Sequence, residues 1–255
     1  MKTVLWSLTL VNAIEVKGIT KKFGDFVAVD SISFEVGTGE IFGFLGANGA
    51  GKSTAMRMLC GLLEPTSGEA KVAGFDIYKQ REQIKKSIGY MSQKFSLYGD
   101  LTVAENIKFW GGLYGLTKAE IRAKEEEIVE KLEMRGWENS FVASLPMGWK
   151  QKLAFSISIM HSPKIVFLDE PTGGVDPIVR RKFWEEIYDA SLRSITVFVT
   201  THYMDEAEYC DRASIMVDGQ IRALGTPAEL KKKFGRADMD GVFKDLARGA
   251  QRKDA

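Results

Sequence analysis

The stretch IFGFLGANGAGKST, residues 41–54, constrains this chain more than any other. An apolar run ends in Gly46-Ala47-Asn48-Gly49-Ala50-Gly51-Lys52-Ser53, which satisfies G-x-x-x-x-G-K-[ST]. KSTAMRMLCGLL then carries helical spacing up to Pro65. Strand, glycine loop and helix in this order let successive backbone N–H groups wrap phosphate oxygens at the positive end of the helix. Lys52 then reaches the β- and γ-phosphates, and Ser53 offers a hydroxyl to Mg²⁺. With Thr54 behind them, these residues form a candidate ATP-binding loop.

A loop of this kind needs a sheet beneath it. KIVFLDE and SITVFVTTH are nearly continuous apolar runs separated by a helical stretch that starts at Asp176-Pro177. Buried strands alternating with helices predict a parallel sheet covered on both faces. AIEVKGITKKF and FVAVDSISFEV alternate instead and are broken at glycines, which predicts short strands before the loop. Residues 94–160 change character. Thr102 with Glu105 and Thr117 with Glu120 are capping boxes, and Ile121, Ile128, Val129 and Leu132 share one helix face opposite Glu125, Glu126 and Glu127. A third box, Thr226 with Glu229, starts a late helix, and the stretch from Gly235 reads as a surface helix and tail.

Two acids end the run IVFLDE. At the carboxyl end of a parallel strand they reach the sheet edge where ligands bind. Asp169 suits Mg²⁺, and Glu170 suits orienting or deprotonating an attacking water. His202 ends the next apolar run and arrives at the same edge, where it can donate to a γ-phosphate or hold the water. Gln93 can sense Mg²⁺ or water through its amide, or simply link two lobes; Phe23 can stack on adenine, or fill a strand face. The residue chemistry does not choose in either case. His161 reads as a structural residue at a helix end, where positive charge suits the dipole.

Composition narrows the class. Lys+Arg 35 against Asp+Glu 34 leaves no overall charge to attract nucleic acid, so none is expected as partner. Cys60 and Cys210 lack metal-ligand spacing and read as reduced thiols. MKTVLWSLTLVNA, residues 1–13, reads as an extension or edge strand. Its resemblance to a short signal peptide would put a phosphate loop where triphosphate is scarce.

In this order the motifs resemble the nucleotide-binding subunits of ATP-binding cassette (ABC) transporters, over roughly residues 13–234. The resemblance implies an α/β fold: a P-loop NTPase (RecA-like) core with an N-terminal antiparallel β subdomain and an inserted α-helical subdomain. The divisions it suggests are an extension at 1–13, a core at 14–93 plus 161–234, a helical subdomain at 94–160 and a tail at 235–255. It implies Phe23 as adenine platform, Gln93 as hinge glutamine with a part in Mg²⁺ binding, Asp169 and Glu170 as the acidic pair, Asp176 in a dimer loop and His202 as switch histidine. Lys52, Gln93, Glu170 and His202 form the implied catalytic set, Mg²⁺ falling to Ser53, Gln93 and Asp169. Two subunits, like or unlike, pack head to tail in this family, each ATP closed by the partner's signature segment.

The signature is unusual here. Leu145-Pro146-Met147-Gly148-Trp149 stands where the family usually has Leu-Ser-Gly-Gly-Gln. A hydrogen bond to a charged group, worth about 1.5–3 kcal/mol, leaves with the serine hydroxyl. The helix dipole, worth up to about 2 kcal/mol, stays, and Lys150 adds charge nearby. The expectation is a weaker but working signature, with a degenerate half-site as the alternative. THYMDEAEYCDR and ALGTPAEL resemble the exporter branch with separate permease subunits, which places the chain at the cytoplasmic face of the cell membrane. The aromatic segment with Phe95, Tyr98, Phe109, Trp110 and Tyr114 then either receives the permease or fills the helical lobe. The competing function is a soluble ABC ATPase of DNA repair or the ribosome. A GTPase is disfavoured by the lack of Asn-Lys-x-Asp.

Overall fold

A computed structural model describes residues 12–93 and 97–249. Phe95, residues 1–11 of the expected extension and residues 250–255 of the expected tail lie outside this range. Asn12 and Ala13, placed in the extension on sequence, open the first strand instead.

Strands β1 (Asn12–Phe23) and β2 (Phe26–Gly37) form a hairpin, and β4 (Ser67–Val72) and β5 (Phe75–Asp76) complete an antiparallel sheet in the order β2-β1-β4-β5. The alternation predicted for β1 and β2 turns Ile14, Val16, Val29, Phe34 and Val36 inward. Facing them is a six-stranded sheet built from β3 (Ile41–Gly46), β6 (Ile88–Met91), β7 (Ile165–Asp169), β8 (Thr196–Thr201), β9 (Arg212–Val217) and β10 (Gln220–Gly225). Their order is β10-β9-β3-β8-β7-β6, parallel except for β10. Phe34 stacks on Phe42 at 5.5 Å between the sheets, and Phe44, Phe167 and Phe198 extend this aromatic core. Each such ring, fully buried, contributes roughly 1.5–3 kcal/mol.

On the far face lie α5 (Met147–Ile159) and α6 (Pro177–Leu192), where Phe155, Phe183, Trp184 and Ile187 cover Val166, Leu168, Val197 and Val199. All three predicted capping boxes form, at the starts of α3 (Val103–Leu113), α4 (Lys118–Lys131) and α7 (Pro227–Phe234), whereas α2 (Arg81–Ser87) begins without a side-chain cap. The predicted apolar face of α4 is buried, and Ile128 and Leu132 join Val103, Ile107, Leu145 and Leu153 in a separate core. Helix α5 serves both cores: Leu153 and Ile157 point into the helical lobe, Phe155 and Ile159 onto the sheet.

Three local readings differ from the sequence expectation. Helix α1 (Lys52–Leu59) stops well before Pro65, because Gly61 takes a left-handed φ of 69° and the Gly61 and Leu62 N–H groups donate back to Met58 and Arg57 carbonyls. The surface helix expected after Gly235 forms as α8 (Met239–Arg248), but it is anchored, burying Met239 and Val242 against the β9–β10 side of the sheet. His161 sits just past the end of α5 in the structural role expected of it, but without the charge: it stacks on Tyr114 at 3.8 Å, its Nε2–H donates to the Ile88 carbonyl at 3.1 Å, and burial lowers its pKa. Both cysteines are free and buried, and burial pushes their thiols well up.

Candidate nucleotide and hydrolysis site

Parallel register puts the chemistry at one edge. Leu45 pairs with Thr201 and Asp169 with Thr200, so Gly46, Glu170 and His202 leave their strands side by side. A cavity of about 510 Å³ opens there, lined by Asn48, Gly49, Gly51, Lys52, Ser53 and Thr54 of the loop, with Phe26, Ala28, Gln93 and Glu170 around them. Gly51 holds φ 104°, and a Cβ there would come within 2.4 Å of the Ala28 carbonyl, so the loop can wrap inward only with glycine.

Lys52 is 4% exposed, and its Nζ donates to the carbonyls of Gly46 and Ala47 at 2.8 and 3.1 Å. The same Nζ lies 3.4 Å from Glu170 Oε1. Burial lowers the Lys52 pKa, and the facing Glu170 carboxylate opposes that pull. The other oxygen of Glu170 accepts from Gln93 Nε2 at 3.1 Å and sits 3.1 Å from His202 Nδ1. One carboxylate thus meets the lysine, the glutamine and the histidine that the sequence singled out. It is aimed there by an unusual backbone: Glu170 has φ 49°, left-handed for a non-glycine residue, and its N–H donates to both the carbonyl and the hydroxyl of Thr200 at 3.1 Å.

Asp169 is organised separately. Its Oδ1 accepts from Ser53 Oγ at 3.0 Å and from Thr200 Oγ1 at 2.7 Å. Ser53, Asp169 and the Gln93 amide are hard oxygen donors of the kind that hold Mg²⁺ alongside water and phosphate, so the residues fit that ion. Among the described residues no cluster of three or more His, Cys, Asp or Glu offers a softer metal site.

Three features escaped the sequence reading. Thr200 organises both acids, and its only signal was a hydroxyl two positions before His202, one of three threonines in β8. Phe26 lines the cavity, whereas Phe23 is not among the lining residues. Phe23 sits 51% exposed at the hairpin end with Lys21 Nζ 5.2 Å from its ring centre. Gln151, wholly buried, donates to the Pro171 carbonyl just after Glu170.

The signature segment stands apart, with none of Leu145–Trp149 lining the cavity. Leu145 is buried in the helical lobe, Pro146 is the N-cap of α5 and Met147, 51% exposed, begins the helix. A Cβ on Gly148 would come 3.1 Å from Val179 Cγ1, so this glycine lets α5 approach the start of α6. Trp149 turns inward, edge-on to Trp137 at 5.0 Å, and Lys150 Nζ donates to the Ala143 carbonyl at 2.7 Å. Asp176 caps α6, accepting from the Ile178 and Val179 N–H groups at 2.9 and 3.0 Å.

The sequence pattern of the family described as ABC transporter matches residues 29–173, which include the phosphate loop, the signature segment and the acidic pair. The chain belongs to the ABC transporter family. It is 51% identical over 220 residues to the probable multidrug ABC transporter ATP-binding protein YbhF of Escherichia coli (strain K12), a match covering 86% of this chain and 38% of that protein. It is 36% identical over 223 residues to the linearmycin resistance ATP-binding protein LnrL of Bacillus subtilis (strain 168), covering 87% and 72%. A solved ATP-binding subunit of an ABC transporter superposes with TM-score 0.82 at 27% identity, over 93% of this chain and 99% of that one. The fold is therefore the ABC ATPase cassette, a P-loop NTPase with its two sheets and helical lobe.

Proposed function

We propose that this ABC-family chain is the ATP-hydrolysing subunit of an exporter. The observation that carries the reading is the Glu170 carboxylate, held between Lys52 on one oxygen and Gln93 and His202 on the other. In the proposed reaction the loop N–H groups and Lys52 bind the β- and γ-phosphates. Glu170 takes a proton from a water that attacks the γ-phosphorus, and the bond to the β–γ bridging oxygen breaks to release ADP and phosphate. His202 and Gln93 keep the carboxylate and water in line, so positioning and charge supply most of the rate. Mg²⁺ held by Ser53, Gln93 and Asp169 would neutralise charge on the phosphates.

Two copies complete the site in this reading. Each presents the start of its α5, with Pro146, Met147 and Gly148, to the nucleotide held by the other, and the Asp176 loop lies at the contact. Met147 is half-exposed and away from its own chain's cavity, which supports a role in a second copy. No helix among the described residues is long and apolar enough to cross a membrane. The reading assigns that part to separate permease subunits, with this chain at the inner membrane face. Tyr98, Phe109 and Leu113 form the exposed side of the helical lobe that would meet the permease, while Trp110 and Tyr114 pack toward its core. Export rather than import rests on the names of relatives such as YbhF, LnrL and the Nod factor export ATP-binding protein I of Rhizobium sp. (strain N33). The subdomain divisions at residues 94 and 160 follow the same reading, with α5 shared between lobes.

The decisive experiment uses Glu170→Gln. With saturating Mg-ATP this variant should bind nucleotide, fail to hydrolyse it and double its mass in light scattering. A variant that stays monomeric with ATP bound would overturn the two-copy mechanism.

A further inference from the structure

Beneath the hydrolysis edge, buried polar side chains tie together three segments that the proposed reaction uses separately. Gln151 on α5 donates from Nε2 to the Pro171 carbonyl, one residue after Glu170. The next residue, Thr172, donates its hydroxyl to Glu206 Oε1 at 2.5 Å. Glu206 has no solvent exposure and lies in the short 3-10 helix Met204–Tyr209 that follows His202. Arg180, one turn into α6 beyond Asp176, brings Nε to 3.6 Å from the same Oε1 and lays its guanidinium 3.9 Å from the centre of the Tyr203 ring. The Tyr203 and His202 rings lie 4.1 Å apart, and His202 returns the circuit to Glu170 at 3.1 Å.

None of Thr172, Arg180 or Glu206 lines the nucleotide cavity. An ionisable carboxylate with no exposure is a costly way to fill space, because an apolar side chain of similar volume would pack there without desolvation. What the carboxylate offers instead is direction. It fixes the turn after His202 against the loop after Glu170 through one hydroxyl, and it holds the arginine that stacks on the neighbour of His202. Thr201 and Trp184 also face it, while among the described residues its Oε2 has no hydrogen-bond partner within the usual distance.

We propose that Thr172, Glu206 and Arg180 are positioning residues that hold His202 in register with Glu170, and that Gln151 makes this register depend on the placement of α5, the helix begun by Pro146 and Met147. The proposal rests on the ATPase reading and deepens it. A signature helix drawn toward a second copy's nucleotide pulls on Pro171 through Gln151, and the Thr172–Glu206 tie carries that pull to the His202 turn. Engagement of α5 and alignment of this chain's own water-activating pair are then linked by hydrogen bonds inside one subunit.

The test combines turnover with a spectroscopic readout. Thr172→Val removes the hydroxyl at nearly constant shape, and Thr172→Ser keeps it. Thr172→Val should lower kcat by about tenfold with KM for ATP unchanged, the scale of one lost buried hydrogen bond, and Thr172→Ser should recover it. The chain has two histidines, so a His161→Phe comparison identifies the His202 ring signals in NMR spectra. Those signals should move in Thr172→Val and in Arg180→Gln, because the Tyr203 ring leaves its place. Arg180 is partly exposed, which makes Arg180→Gln the milder change for folding. Unmoved His202 signals in folded variants overturn the proposal, whatever kcat does, and so does unchanged kcat in Thr172→Val. If the unmodified protein bound ATP without hydrolysing it while the His202 signals shifted as stated, the ATPase reading would fail and the buried tie would stand.

Discussion

Glu170 Oε1 stands 3.4 Å from Lys52 Nζ, in a place where the lysine side chain is 4% exposed and the glutamate side chain 10%. Buried charges at this distance need each other, since removing one partner leaves the other desolvated and uncompensated. In the proposed reaction a γ-phosphate entering the loop would compete with Glu170 for the ammonium and free the carboxylate to accept a proton from water, so the pair would be a resting contact that substrate displaces.

Lys52→Ala tests that exchange. Nucleotide affinity should fall by at least about a hundredfold, the scale of a lost charge-assisted contact of about 3 kcal/mol. Titration with a fluorescent ATP analogue measures it. Affinity and turnover equal to the unmodified protein would remove the phosphate-loop assignment.

Pro146→Ser addresses the altered signature. Pro146 is the N-cap of α5 and supplies no side-chain acceptor to the first helical N–H groups. A serine there should stabilise the fold by about 0.5–2 kcal/mol. It also restores a hydroxyl where the second copy's γ-phosphate is proposed to lie. Thermal melting should rise and steady-state ATPase should stay equal or increase; complete loss of turnover would show that the proline itself is required.

Thr200→Val isolates the support beneath the two acids. The variant loses the bonds to Asp169 Oδ1 and from the Glu170 N–H, although that N–H keeps the Thr200 carbonyl. A cost of about 1–3 kcal/mol in stability is expected from the lost bonds. The Mg²⁺ concentration needed for half-maximal turnover should rise, because Asp169 loses its orientation. Denaturant unfolding and a metal titration measure the two effects, and an unchanged Mg²⁺ requirement would dissociate Thr200 from the ion.

His161 supplies a pH dependence remote from the chemistry. Burial holds its folded-state pKa below the ordinary value near 6.5. The unfolded chain then binds the proton more readily than the folded one, so stability is complete above about 6.5 and is lost as pH falls below it. His161→Phe keeps an aromatic ring against Tyr114 and removes the titration. Its melting temperature should fall less steeply between neutral and mildly acidic pH than that of the unmodified protein, and identical slopes would assign the dependence to other groups.

Much of the site was legible because its parts are local. The phosphate loop, the acids ending IVFLDE, the capping boxes and Asp176 each depend on neighbours within a few positions. Thr200, Thr172, Glu206 and Gln151 were not legible, because each acquires its role from a partner 20 to 34 positions away. Phe26 and Phe23 show the same limit at short range. Both are aromatic residues at one hairpin end, and only the fold decides which of them lines the cavity.

Alone, the sequence determined where strands end and helices begin, because hydrophobic period, capping hydroxyls and glycine freedom act within single segments. It also determined the candidate phosphate loop, whose proposed chemistry needs only backbone N–H groups and one lysine in a fixed order. Tertiary structure decided that Lys52, Gln93 and His202 converge on a single carboxylate of Glu170, and that Trp149 turns inward while Met147 stays exposed. Those outcomes depend on parallel strand register and on packing between elements far apart in the chain, which no local pattern encodes.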